Sequence, residues 1–168
     1  MKDIELASID EIDLIMKIIK ACTKHMIDNG IFQWNDKYPT KQSFIDDINN
    51  NDLFVLKLEN KIIGCVCASF DMDEFYKQIV WETSSKKNIY LHRLAIHPDY
   101  QGQGLAKYFM DYIENYAKEN GCLSVRLDTF SLNKKNNYLY SKLGYKKLGK
   151  IYFRDQSDMP FNCYEKLL

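Results

Sequence analysis

Hydrophobic side chains recur along this chain in two periods. Ile12, Ile15, Met16, Ile19, Cys22 and Met26 follow at three- and four-residue steps, the signature of one helix face. Ser8 and Glu11 stand at capping-box spacing before them, and Asn29-Gly30 forms a natural stop. Leu105, Tyr108, Phe109, Tyr112, Ile113 and Tyr116 mark a second long helix, closed near Asn120-Gly121. Thr40 can cap a short helix through about Asn50, and Asn133 to Leu143 reads as a fourth, ending at Gly144. The other period is the strand's: Ile4–Ala7, Leu53–Leu58, Ile62–Phe70, Ile89–Ile96, the alternating Leu123, Val125 and Leu127, then about Tyr145–Phe153 and Asp158–Leu167. Asn60-Lys61 suggests a tight hairpin turn, without the glycine that would make the signal strong. Residues 71–86 are polar and give no assignment. The order βααβββαβαββ predicts a mixed α/β domain.

Composition sharpens this picture mainly by exclusion. A chain of 168 residues matches one domain, spanning 1–168, and 46% hydrophobic residues argue against disorder. Lys plus Arg and Asp plus Glu each total 23, so there is no basic surplus for nucleic acid to meet. The five cysteines are odd in number and form no Cys-x-x-Cys, which reads as buried small hydrophobes, with no disulfide framework and no metal site. Cys65 and Cys67, two apart on a strand, share one face. No apolar run approaches the roughly 18 residues of a membrane span. Acids stand in Met1-Lys2-Asp3-Ile4-Glu5 where a signal peptide would be apolar. The expectation is a cytoplasmic, reduced protein without membrane or nucleic-acid partners.

The most informative segment is Gln101-Gly102-Gln103-Gly104-Leu105-Ala106, between a strand and an amphipathic helix. The first N–H groups of a helix lack intrahelical partners and sit at its positive dipole end. Glycines let such amides approach an anion closely, so a neutral chain can bind a phosphate without net charge. A dinucleotide fingerprint would need a third glycine where Lys107 stands, and no P-loop Gly-Lys-Ser/Thr occurs.

This loop resembles the Gln/Arg-x-x-Gly-x-Gly/Ala motif of the GNAT N-acetyltransferase superfamily, which uses acetyl-coenzyme A. Leu91-His92-Arg93-Leu94-Ala95-Ile96-His97-Pro98 resembles that family's fourth strand. Asn133 and Leu139-Tyr140-Ser141-Lys142-Leu143-Gly144-Tyr145 resemble its Asn…Leu-Tyr-x-x-x-Gly-Phe/Tyr pattern, with Asn136 where alanine is common. The resemblance implies a mostly antiparallel central sheet of about six or seven strands, about four flanking helices, and splayed fourth and fifth strands. It also implies that backbone groups of Leu94, Ala95 and Ile96 hold the pantetheine arm. The amides of Gln101, Gly102, Gln103, Gly104, Leu105 and Ala106 would take the pyrophosphate, with Asn133 and Tyr140 on the same cosubstrate. Lys134 and Lys135 read as a solvated pair, with nucleotide phosphates as the alternative. No metal is implied.

The implied chemistry needs a neutral amine. An alkyl ammonium of pKa ~10.4 is neutral about once in 2,500 molecules at pH 7, so a base is useful. His92 is the first candidate, on a strand motif that looks like that of the arylalkylamine N-acetyltransferases. Alternation puts it on one face with Tyr90, Leu94 and Ile96. Glu82 is the runner-up, and Tyr140 matches the family's acid facing the departing sulfur. Trp34, Tyr38 and Tyr90 are candidates for the acceptor wall. The implied activity is acetyl transfer to a primary amine of a small molecule by direct attack in a ternary complex. The alternatives are a protein N-terminal or lysine acetyltransferase and a non-catalytic acyl-coenzyme A sensor, with a homodimer left open.

Overall fold

The computed structural model describes residues 1–84 and 86–168. Seven strands and four α-helices follow one another as β1 (Lys2–Leu6), α1 (Ile12–Asp28), α2 (Lys41–Asn49), β2 (Leu53–Leu58), β3 (Lys61–Ser69), β4 (Asn88–Ile96), α3 (Leu105–Glu119), β5 (Ser124–Phe130), α4 (Lys134–Lys142), β6 (Lys146–Ile151) and β7 (Phe161–Leu167). That is the order the two periodicities predict. Ser8 and Glu11 do cap a start, with the Ser8 N–H donating to Glu11 Oε2 at 2.9 Å, but they cap a short 3-10 turn leading into α1. Thr40 Oγ1 accepts from the Ser43 N–H and begins α2. The β2–β3 turn falls one residue earlier than expected, at Glu59-Asn60. Both take positive φ, 49° and 65°, the both-positive pattern of a tight two-residue hairpin.

The strands form one sheet in the order β1-β2-β3-β4-β5-β7-β6. Among the described strands, β4 and β5 are the parallel neighbours and the other pairs are antiparallel. One face is covered by α3, whose Phe109, Met110, Ile113 and Ala117 pack on Phe54, Ile63, Ile89, Leu91 and Val125. Each large side chain so buried stabilises the fold by about 1.5–3 kcal/mol. The other face carries Ile15, Ile19 and Cys22 of α1 and Phe44 of α2, packed on Val55, Cys65 and Cys67. All five cysteines are buried and unpaired. A third cluster, Tyr76, Tyr90, Phe130, Phe161 and Cys163, lies beneath the polar stretch that the sequence leaves unassigned. There Glu74–Gln78 forms a 3-10 turn that drives Tyr76 fully into the core.

Two irregularities in β4 position everything that follows. Its pairing with β5 stops at Leu91/Leu127. Beyond that point β4 stays with β3 as far as Ile96, while β5 stays with β7 as far as Phe130, so the two strands part. The second irregularity is a bulge. Cys65 faces Ala95 but Cys67 faces His92, so Arg93 and Leu94 occupy the interval of Val66 alone. Arg93 takes φ +56° to do so. The expectation that Tyr90, His92, Leu94 and Ile96 share a face is therefore corrected. Leu94 and Ile96 pack on the α3 side, whereas Tyr90 and His92 both meet the ring of Tyr76 on the other. One extra residue reverses the alternation for the rest of the strand.

Candidate active site

A cavity of about 490 Å³ occupies the gap where β4 and β5 separate. Leu94, Met110, Leu127 and Tyr140 line it on the α3 side. Trp34, Tyr38, His92, Arg93 and Asp128 line it on the side of α1 and α2. It is thus a passage between the two faces of the sheet.

The glycine loop stands beside the splayed end. Gly102 and Gly104 take φ of 78° and 75°, and a Cβ at either would meet nothing within 4 Å. Glycine is required there by backbone conformation, and the space in front is open. Gly104 precedes α3 and offers no side-chain cap, which leaves the first amides of a 15-residue helix for an anion. Gln101 anchors the loop: its Nε2 donates to the Ile96 carbonyl at 2.9 Å, and Lys135 Nζ donates to its Oε1 at 3.0 Å. Lys135 is thereby held over the loop. The His97 N–H donates to Ile63 on β3, so antiparallel alternation turns the polar groups of Ala95 toward β3 and those of Ile96 toward the gap. The Ile96 carbonyl is already taken by Gln101 and the Cys22 thiol, which leaves its N–H for a ligand. These features fit a phosphate-bearing thioester lying along β4. Asn133 is buried as the cap of α4, accepting from the Asn136 N–H, and its amide donates to Gln33 Oε1 at 3.0 Å. It ties the α1–α2 connection to α4 and does not line the cavity.

Tyr140 is buried in the cavity wall, with its ring against Tyr145 and Tyr164. Burial, reinforced by Asp128 and Tyr164, pushes its phenol well above the usual value, so it stays protonated as a donor. Trp34 and Tyr38 line the cavity, and Tyr38 Oη accepts from Arg93 Nη1 at 3.3 Å. Tyr90 does not: it is a core residue whose hydroxyl accepts from Arg126 Nη1 at 3.0 Å. Glu82 is also elsewhere, with its carboxylate paired to Lys146 and its N–H donating to Glu165 Oε2 at 2.6 Å. His92 does line the cavity, but burial, with the Arg93 charge beside it, lowers its pKa to about 3. Its imidazole is therefore neutral at pH 7 and a poor proton acceptor, which counts against the role of base.

Two groups in the wall escape a reading of the sequence. Arg93 makes a forked contact with Asp47 of α2, Nη2 to Oδ1 at 2.7 Å and Nε to Oδ2 at 3.1 Å, and so pins the bulge from above. Asp128 lies just past the last residue of β5 that pairs with β4, with Oδ1 accepting from the Tyr76 hydroxyl. Burial raises its pKa to about 6 against the opposing hydrogen bond from Tyr76. One signal was available for Asp128. Ser124, Arg126 and Asp128 alternate with Val125 and Leu127, which places the three polar residues on one face of the strand. Asp52, Asp71 and Asp73 also line the cavity, giving it an acidic mouth. Among the described residues, no group of three or more His, Cys, Asp or Glu is placed to hold a metal.

Residues 15–145 match the Acetyltransferase (GNAT) family. The chain belongs to that family. Its mostly antiparallel sheet, with β4 and β5 parallel and splayed, is the GNAT fold. A GNAT acetyltransferase from Streptococcus agalactiae superposes over 99% of this chain and 95% of its own with a TM-score of 0.84, at 27% identity. The PaiA N-acetyltransferase of Thermoplasma acidophilum, solved with coenzyme A, covers 100% and 99% with a TM-score of 0.73; at 18% identity it shows the fold alone. The thialysine N-epsilon-acetyltransferase of Sus scrofa is 33% identical over 69 residues, 41% of this chain and 41% of that protein. The matched segments span about two fifths of the first curated relatives' length. Among the described residues of this GNAT chain, no helix is long and apolar enough to cross a membrane.

Proposed function

We propose that this protein transfers the acetyl group of acetyl-coenzyme A to a primary amine of a small molecule, the amine attacking directly while both substrates are bound. The observation that carries this reading is the cavity through the split between β4 and β5. One side is lined by Leu94, Met110, Leu127 and Tyr140, along the strand that leads into the glycine loop, which suits the thioester. The other opens on the aromatic and acidic wall of Trp34, Tyr38, Asp52, Asp71 and Asp73, which suits an ammonium. Its volume of about 490 Å³ is that of a small-molecule site, which favours an amine over an extended peptide. The thialysine acetyltransferase relative is named for an amine of this size class.

The roles follow from position. Acetyl-coenzyme A supplies the acyl group. The amides of residues 101–106 hold its pyrophosphate, and the backbone N–H groups at the Leu94 bulge and Ile96 face its pantetheine arm and thioester carbonyl. Tyr140 donates a hydrogen bond toward the departing sulfur. Because its phenol is harder to ionise than usual, complete proton transfer from it is disfavoured and the hydrogen bond itself is its contribution. With its five thiols buried and free, we place the protein in the reducing cytoplasm.

Calorimetric titration with acetyl-coenzyme A tests the first half of the reading. Silence at about 100 μM, against an expected affinity near ~10 μM or −6.8 kcal/mol, would sink it. Thiol release with a primary-amine panel and a peptide array tests the second half, and labelling of peptides alone would reject the small-molecule acceptor.

A further inference from the structure

The reaction must remove a proton from the acceptor ammonium, and the residues expected to do so do not suit the task. His92 is in the cavity but binds a proton weakly, and Glu82 is outside it. One other group in the wall has the required geometry. Asp128 sits at the fork itself, one residue beyond the Leu91/Leu127 pairing that ends the contact of β4 with β5. It directs its carboxyl to the side of the sheet that carries Tyr76, His92 and the acidic mouth. Oδ1 accepts the Tyr76 hydroxyl, and among the described residues no donor reaches Oδ2. Tyr76 is fully buried, on a 3-10 turn begun by the Asp73 carboxylate, which accepts from the Phe75 N–H at 2.9 Å. One oxygen is thus fixed and the other left for a ligand.

Resting on the acetyl-transfer reading, we infer that Asp128 is the catalytic base and that Tyr76 is its positioning residue. The acceptor ammonium gives one proton to Asp128 Oδ2, leaving a neutral amine whose lone pair attacks the thioester carbonyl carbon. The C–N bond forms and the C–S bond breaks, with its electron pair passing to sulfur. The remaining excess proton on nitrogen ends on the coenzyme A thiol, and Asp128 returns its proton to water through the acidic mouth. Nothing is oxidised or reduced.

The groups around Asp128 explain why it suits the role better than His92. Tyr76 and Asp73 face it from the segment before β4, Arg93 and His92 from β4, Cys163 from β7, Tyr140 from α4 and Tyr38 from the α1–α2 connection. Burial raises its affinity for a proton, Asp73 adds to that, and the Tyr76 hydrogen bond and the Arg93 charge oppose it. The result, near 6, lies three pH units above His92 at about 3, or about a thousandfold in proton affinity. It also leaves Asp128 mostly ionised at pH 7, ready to accept.

The test uses the whole chain, with acetyl-coenzyme A and a panel of primary amines led by tyramine and 1,4-diaminobutane. Asp128→Asn should lower kcat/KM by roughly 10²–10⁴-fold. It should abolish the fall in rate below about pH 6 while leaving calorimetric binding of acetyl-coenzyme A unchanged. Tyr76→Phe should retain much of the rate but move that fall to higher pH, since the hydrogen bond it removes favours the carboxylate. A merely structural Tyr76 would leave the profile in place. Carboxyl carbon NMR of the free protein should show Asp128 titrating near 6 and moving upward in Tyr76→Phe. An Asp128→Asn protein with undiminished rate and an intact acid limb overturns the assignment alone. An Asp128 carboxyl titrating at an ordinary ~3.9 does the same. A wild type that binds acetyl-coenzyme A and acetylates no amine overturns the acetyltransferase reading itself.

Discussion

Glu165 and Asp128 are two acids on one face of the sheet, and they meet opposite fates. Glu165 on β7 lies opposite Arg126, and Asp128 is two residues further along the same strand as Arg126. Glu165 is buried to 1% exposure. Burial alone would therefore raise its pKa. Instead it accepts from Thr83, Ser124, the Glu82 N–H and Arg126, and these donors outweigh desolvation to hold it below the usual carboxylate range. Among the described residues Asp128 has one donor, Tyr76, and burial wins. The difference lies in the donors around each carboxyl. Where β4 and β5 are still paired, Asn88, Ser124 and Arg126 close a network around the carboxylate. Where the strands part, Asp128 faces a cavity. Donor count, rather than depth, separates the acid that holds the sheet from the acid available to a substrate.

Three substitutions, with four expected outcomes, can break or sharpen that contrast. The largest effect is expected on activity, from Asp128→Asn, with kcat/KM falling roughly 10²–10⁴-fold while the fold survives. Next, Glu165→Ala removes the carboxylate paired with the fully buried Arg126 and should cost about 3–5 kcal/mol in chemical denaturation. Any protein that remains folded should keep its acid limb near pH 6, because Asp128 is untouched. Third, Asp128→Asn should stabilise the native state at pH 7 by about 3 kcal/mol, the value of moving a carboxyl from 3.8 to about 6. The sign follows from linkage. The native protein holds this proton more tightly than the unfolded chain does, so the penalty is fully present above pH 6 and vanishes as pH falls below the unfolded value. An unchanged or lowered denaturation midpoint at pH 7 would contradict the account. The smallest effect belongs to His92→Gln. His92 titrates near 3 when folded and 6.5 when unfolded, so it lowers stability as pH falls through that window. The substitution should remove about 2 kcal/mol of the loss between pH 7 and pH 5, with no change at pH 7.

Much of the fold was legible in the chain because each element buries a repeating set of side chains. The helices from Ile12 and from Leu105 declare themselves by spacing alone, and the glycine loop by its need for positive φ. The site was legible in part. Tyr140, Trp34 and Tyr38 line one cavity. Tyr90 was misplaced among the wall residues because a tyrosine on a strand looks the same whether its hydroxyl meets a substrate or Arg126. The face of Leu94 and Ile96 is not legible in the sequence, because a bulge at a non-glycine residue leaves no mark in the alternation. Arg93 holds it through Asp47, 46 residues away in sequence.

The sequence by itself determined the order of elements, the apolar faces of the two long helices and the glycine loop before α3. All of these depend on residues close to one another along the chain. Only the tertiary structure decided which acid would be silenced and which left reactive. The proton affinity of a carboxyl depends on how many donors converge on it. Those that reach Glu165 come from Glu82 and Thr83 and from β5, all distant from it along the chain. At Asp128, past the point where β4 parts from β5, Tyr76 is the donor among the described residues.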